Sequence, residues 1–175
     1  DIANSAVWAI LFSLLGIFMY LLVRFNRWQY SLGAVVALMH DVVLVLGAFA
    51  LFDGILSFSM EVDQAFIAAI LTVIGYSIKD TVVVFDRIRE YLADHKGARA
   101  DKGVINYALN STLSRTFNTS WTTIIVLLVI FIFGGEVLRG FIFAILLGIV
   151  VGTYSSLFVA SPILYDATPK DDKTK

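Results

Sequence analysis

Five long stretches of this sequence carry almost no charge: Ala6 to Val23, Leu32 to Phe52, Ala65 to Phe85, Thr119 to Gly135 and Gly140 to Leu164. Two of them are interrupted, one by His40-Asp41 and the other by Lys79-Asp80. A bilayer core about 30 Å thick takes about 20 apolar helical residues per crossing. Helices also satisfy their own backbone polar groups, which lipid cannot do. The runs therefore predict an all-α polytopic membrane protein, a bundle of five transmembrane helices forming one domain over residues 1–175. The spans are 6–23, 32–52, 65–85, 119–135 and 140–164. The multi-pass reading uses most of the 59% apolar content of the 175 residues. Charged residues make up 15%, against about 25% in ordinary soluble domains. Thirteen basic residues face fourteen acidic ones, so there is no basic excess of the kind that binds nucleic acid. The absence of cysteine excludes a disulfide scaffold and a cysteine-based zinc site. No metal, cofactor or catalytic group is expected. The first run lacks the basic leader and small-residue cleavage site of a signal peptide.

Basic residues alternate between the segments that join the runs. Arg24 and Arg27 follow the first run. Arg87, Arg89, Lys96, Arg99, Lys102 and Arg115 follow the third, and Lys170, Lys173 and Lys175 follow the fifth. The other side has Arg139 alone, with Asp53, Glu61 and Asp63 in the loop after the second run. The positive-inside rule makes the basic side cytoplasmic. The N-terminus is then expected outside and the C-terminus inside. A chain that begins with Asp1 just before a span is expected to be the C-terminal piece of something larger.

The segment 86–118 is the one connection long enough for structure of its own. Asp86, Arg87, Arg89 and Glu90 continue the third helix into water, and Asp86 with Arg89 makes a weak surface pair. Asp94 to Lys102, with Gly97, reads as a turn ending near Gly103. Val104, Ile105, Ala108, Leu109 and Leu113 then recur at helical spacing. This amphipathic elbow reads as a helix on the membrane surface or as a part that transmits movement.

An ionisable group at membrane depth costs about 2.5–3.5 kcal/mol on insertion scales, and marks a functional site by default. Asp80 lies roughly 7–8 Å from the basic end of its span at 1.5 Å per residue. Ser77 and Tyr76, three and four residues earlier, are expected on its face. Lys79 can snorkel to the interface. Arg115 is the candidate partner, in a run of small hydroxyl and amide residues, Ser111, Thr112, Ser114, Thr116, Asn118, Thr119, Ser120, Thr122 and Thr123, which suits another helix or a hydrated path. Burial favours the neutral acid and arginine favours the ion, so such a carboxyl can load and release a proton. A static ion pair that fixes helix packing is the other reading.

His40 lies roughly 12 Å into its span. With Asp41 it reads as a relay site or as polar groups tied structurally to neighbouring helices. Gly148 and Gly152 form G-x-x-x-G, which favours close helix packing. Thr153, Tyr154, Ser155 and Ser156 are expected to face another helix, and Gly134-Gly135 forms a tight turn. No Ser-His-Asp set or glycine-rich phosphate loop is present.

The run from Gly75 through Tyr76-Ser77-Ile78-Lys79-Asp80-Thr81 to Phe85-Asp86-Arg87-Ile88-Arg89-Glu90 resembles the signature of the SecF family. So do Leu113-Ser114-Arg115-Thr116, Thr119-Ser120, Thr122-Thr123, Phe133 to Leu138, Gly152 to Ser156, and His40-Asp41. The resemblance covers nearly the whole chain. It implies helices 2–6 of a six-helix protein whose first helix and periplasmic domain precede this sequence. It also implies pairing with SecD, sometimes fused as SecDF, within the proton-driven RND superfamily. The function implied is late translocation of preproteins through SecYEG across the bacterial inner membrane, with YajC and YidC as further partners. Protons, or sodium ions, would be the coupling ion. Proton-pathway roles carry over to Asp80 and Arg115. Lys79 departs from the pattern, where a neutral residue, often asparagine, is expected. Half of an RND small-molecule exporter and a passive membrane scaffold are the alternatives.

Overall fold

The structure, a computed structural model, describes residues 2–95 and 100–168. Asp1, Lys96, Gly97, Arg99, Lys170, Lys173 and Lys175 lie outside the described residues. The described chain is helical, with no strand among the described residues. The helices are α1 (Ile2–Phe25), α2 (Trp28–Phe52), α3 (Gln64–Asp94), α4 (Lys102–Phe133) and α5 (Glu136–Ser155). A wider π turn, Ser156–Ala160, joins α5 to α6 (Ser161–Ala167). With α5, the π turn and α6 read as one continuous helix, five helices among the described residues are long and apolar enough to cross a membrane. The protein is a multi-pass membrane bundle.

Local chemistry sets the helix ends. Asn26 adopts a positive φ of 54°, which asparagine tolerates better than most residues, and turns the chain sharply from α1 into α2. Asp63 caps α3 by accepting from the Phe66 N–H at 2.8 Å. Asp101 caps α4 by accepting from Val104 at 2.9 Å. At the α4–α5 turn the Gly134 N–H reaches the Ile130 carbonyl at 2.7 Å. A Cβ at 134 would collide with that same carbonyl, so only glycine fits. Pro162 has no N–H for the Phe158 carbonyl, and its ring crowds that carbonyl. The helix widens just before it, and Ser161 Oγ donates to the Ser156 carbonyl at 3.3 Å.

The elbow region resolves into two long helices. α3 runs on as a helix to Asp94, and α4 starts at Lys102, well before residue 119. Val104, Ile105 and Ala108 are not laid on a surface. They are buried with Phe85, Ile88 and Leu164 in one core cluster.

α3 and α5 form the centre of the bundle. Within their most apolar stretches 44% and 50% of residues are buried, against 11% for α4. α2 packs on one side of this pair and α4 on the other, and α1 packs mainly on α2. Gly148 faces Val73, and Gly152 faces Ser77, so α3 and α5 run parallel in close register.

Two apolar cores sit at opposite ends. The charged end holds Phe25, Tyr30 and Phe85, with Phe25 stacked on Tyr30 at 4.8 Å. There Arg24 also pairs with Asp86 at 2.6 Å, tying α1 to α3. The opposite, aromatic end joins Phe49 and Phe66 at 4.4 Å and brings Phe58 to 5.7 Å from both Phe131 and Phe143. Between the cores lies a layer of buried polar groups: Asp41, Ser77, Asp80, Thr81, Ser120, Ser155 and Ser156.

Candidate functional site

Asp80 projects from α3 into the seam with α4 and α5, and is 2% exposed. Ser120 Oγ, from α4, donates a long hydrogen bond to Asp80 Oδ2 at 3.5 Å. The same hydroxyl lies 2.7 Å from Thr153 Oγ1 on α5. Lys79 Nζ stands 3.9 Å from Asp80 Oδ1 while sitting over the Tyr76 ring at 4.3 Å. Lys79 remains half exposed. Asp80 is thus a nearly dry carboxyl with one hydroxyl neighbour and one loosely placed cation.

Arg115 is placed differently from the sequence expectation. It is exposed, and no ion pair joins it to Asp80 among the described residues. The nearer cation is Lys79. Arg115 instead lines a half-open pocket of about 400 Å³ at the charged end, with Val83, Asp86, Arg87, Glu90, Ser111 and Thr112. Helix geometry explains the displacement. At about 100° per residue, Arg115 stands about 140° around α4 from Ser120. Ser120 is the residue that faces Asp80, so Arg115 faces elsewhere.

The same angular rule sorts the hydroxyl run. Thr123 shares the inner face and accepts from the Tyr76 hydroxyl at 3.3 Å. Thr119 is half-buried and Thr122 exposed; both return their hydroxyls to α4 carbonyls. Thr116 is buried, with no hydrogen-bond partner for Oγ1 among the described residues. A buried hydroxyl without a partner costs about 1–3 kcal/mol. Thr116 belongs to the hydroxyl run read from the sequence, and Thr153, expected to face another helix, meets Ser120. A period of four residues counted back from Ser120 picks out Thr116.

A second polar cluster lies across the α3–α5 seam. Asp41, on α2, is fully buried. Ser77 Oγ donates to its Oδ2 at 2.6 Å, so Ser77 serves Asp41 rather than Asp80. The Ser155 hydroxyl, at the edge of this cluster, donates to the Gly152 carbonyl at 3.2 Å. His40 Nδ1 lies 3.2 Å from Asp41 Oδ1, so the two adjacent residues do form one contact. Gly152 closes the cluster: a Cβ there would lie 2.9 Å from Ser77 Cβ. Thr81 and Ser156 add a hydroxyl pair at 2.9 Å. Asp80 and Asp41 therefore occupy opposite sides of one glycine-lined seam. Among the described residues no group of three or more His, Cys, Asp or Glu side chains gathers as a metal site would.

The comparisons with known proteins agree with one another. The family model described as "Protein export membrane protein SecD/SecF, C-terminal" matches residues 1–170. A protein translocase subunit SecF from Rhodothermus marinus is 57% identical over 95% of this chain. A protein translocase subunit SecDF from Brucella abortus is 44% identical over 94%. This chain spans 53% of the first protein and 21% of the second. The crystal structure of SecDF, a translocon-associated membrane protein from Thermus thermophilus, superimposes with a TM-score of 0.80. It is 42% identical, and the match covers 92% of this chain and 21% of that one.

Proposed function

Because this chain belongs to the SecD/SecF protein-export family, we propose that it is the membrane motor part of a SecF-type translocase subunit. In this reading it works with a SecD partner, or as part of a SecDF fusion. Proton motive force then drives the late movement of preproteins through SecYEG across the bacterial inner membrane. YajC and YidC would be neighbours in that assembly. The charged end, with Asp86, Arg87, Arg89 and Arg115, faces the cytoplasm.

The observation that carries the reading is Asp80: a nearly inaccessible carboxyl, 2% exposed, in a seam of hydroxyl groups. Magnitudes favour a switching role. An ionised group at membrane depth costs about 2.5–3.5 kcal/mol, and one charge crossing 100 mV releases about 2.3 kcal/mol. A proton reaching Asp80 from the far side crosses about three quarters of the core, about 1.7 kcal/mol per 100 mV, a scale that offsets much of that cost. Protonated, Asp80 needs little from Lys79. Ionised, it draws on Lys79 and Ser120, and the α3–α4–α5 seam tightens around it. Arg115 acts from the adjoining pocket, biasing the local potential without touching the acid.

The test uses membranes lacking the native protein, restored with the full SecD–SecF pair at matched levels. Asp80→Asn is expected to abolish the component of export that depends on the ion gradient, leaving nucleotide-driven export intact. Unchanged export would make Asp80 a packing element and the chain a scaffold. Imposing proton and sodium gradients separately identifies the coupling ion.

A further inference from the structure

Five threonines lie between residues 112 and 123 on α4. Four return their hydroxyl to the carbonyl four residues earlier. Thr112 reaches Ala108 at 2.8 Å, Thr119 reaches Arg115 at 3.0 Å, Thr122 reaches Asn118 at 3.0 Å, and Thr123 reaches Thr119 at 2.9 Å. Thr116 does not. It is 2% exposed, and Oγ1 has no hydrogen-bond partner among the described residues.

The position of Thr116 gives that hydroxyl a use. It lies one turn from Ser120 and one turn from Thr112, about 6 Å along the axis in each direction. Ser120 contacts Asp80. Thr112 lines the pocket that also holds Arg115, Asp86 and Glu90. Thr116 thus spans the gap between the buried carboxyl and the pocket at the charged end. A buried hydroxyl with no protein partner, set between polar neighbours on its own helix face, is where an internal water can be held.

We propose that Thr116 holds an internal water that carries protons between the Asp80–Ser120 pair and the Arg115 pocket. The proposal rests on the reading of Asp80 as a proton carrier. On release, one O–H bond of the Asp80 acid breaks and its proton joins the hydrogen-bonded chain through Ser120 and the water. A different proton leaves the far end of the chain into the pocket. Asp80 becomes a carboxylate beside Lys79, the water and hydroxyls are regenerated, and nothing is oxidised or reduced. The positive charge of Arg115 at the exit disfavours return of the proton.

The experiment reconstitutes the full SecD–SecF pair in vesicles and measures proton flux and gradient-driven export together. Thr116→Val keeps the shape and removes the hydroxyl; Thr116→Ser keeps the hydroxyl. Thr116→Val is expected to slow both rates about tenfold, the scale of one hydrogen bond. Thr116→Ser is expected to stay within about twofold of the parent, well below that scale. Asp80→Asn runs alongside as the reference. If Thr116→Val is as fast as the parent while Asp80→Asn is inactive, the water step is wrong and the motor reading stands. If Thr116→Ser is as slow as Thr116→Val, the residue acts by packing and the water step is again overturned. If Asp80→Asn also retains full gradient-driven export, the motor reading falls and takes the water step with it.

Discussion

Ser77 stands three residues before Asp80, and helical spacing alone places it within reach of that acid. In the folded bundle it donates to Asp41 at 2.6 Å instead. Spacing three apart leaves about 60° between two side chains. On a central helix packed on several sides, 60° is enough to face a different neighbour. The sequence carries the polarity of such residues but not which helix each one meets. Arg115 differs: its angle from Ser120 was legible, because both lie on one helix. The Asp41 cluster predicts a stability effect separate from transport. Ser77→Ala removes a buried donor to a carboxyl and should cost about 1–3 kcal/mol. The denaturation midpoint in detergent reads this loss, while the gradient-dependent fraction of export per folded molecule should hold.

Long helices were the most readable elements, because lipid leaves the chain few other options. Their ends were harder. α4 extends to Lys102 because Val104, Ile105 and Ala108 find a core made by α2, α3 and α6, and no local signal reports that distant surface. The π turn depends on Pro162, which is visible, and on Gly33, where a Cβ would come within 2.8 Å of the Ala160 carbonyl oxygen, which is not. The G-x-x-x-G pattern was read as a packing face, and its partner proves to be α3. A methyl group at Gly148 would overlap the Val73 side chain. Gly148→Ala should therefore destabilise the bundle by about 1–3 kcal/mol through overpacking. Adding Val73→Ala should recover part of that loss, because contacting sites are not additive. Thermal unfolding of the two single variants and the double variant measures the coupling.

At the scale of the whole molecule, composition and charge alternation pointed to a membrane bundle. The same alternation makes a prediction about sidedness. These 175 residues hold no cysteine, so within them each introduced thiol is a unique reporter. In intact cells, Ser59→Cys should react with an impermeant reagent from outside, and His95→Cys only after the membrane is opened. The reverse pattern would invert the proposed orientation. What composition could not supply is the division of the interior into two acid clusters on either side of the α3–α5 seam. That division arises from the packing of four helices, and no single segment encodes it.

The aromatic end has one more bearing on a protein of this kind. Phe58, Phe131 and Phe143 meet there, and Ile124 and Leu127 continue the greasy lining towards Ser120. The hydroxyl column on the other side of Ser120 leads to the charged end. A conduit wetted from both ends at once would short-circuit the membrane and discharge its gradient as heat. On the function proposed above, an insulating stopper on one limb would make each charge wait for a change of shape, so that the discharge is forced to do work.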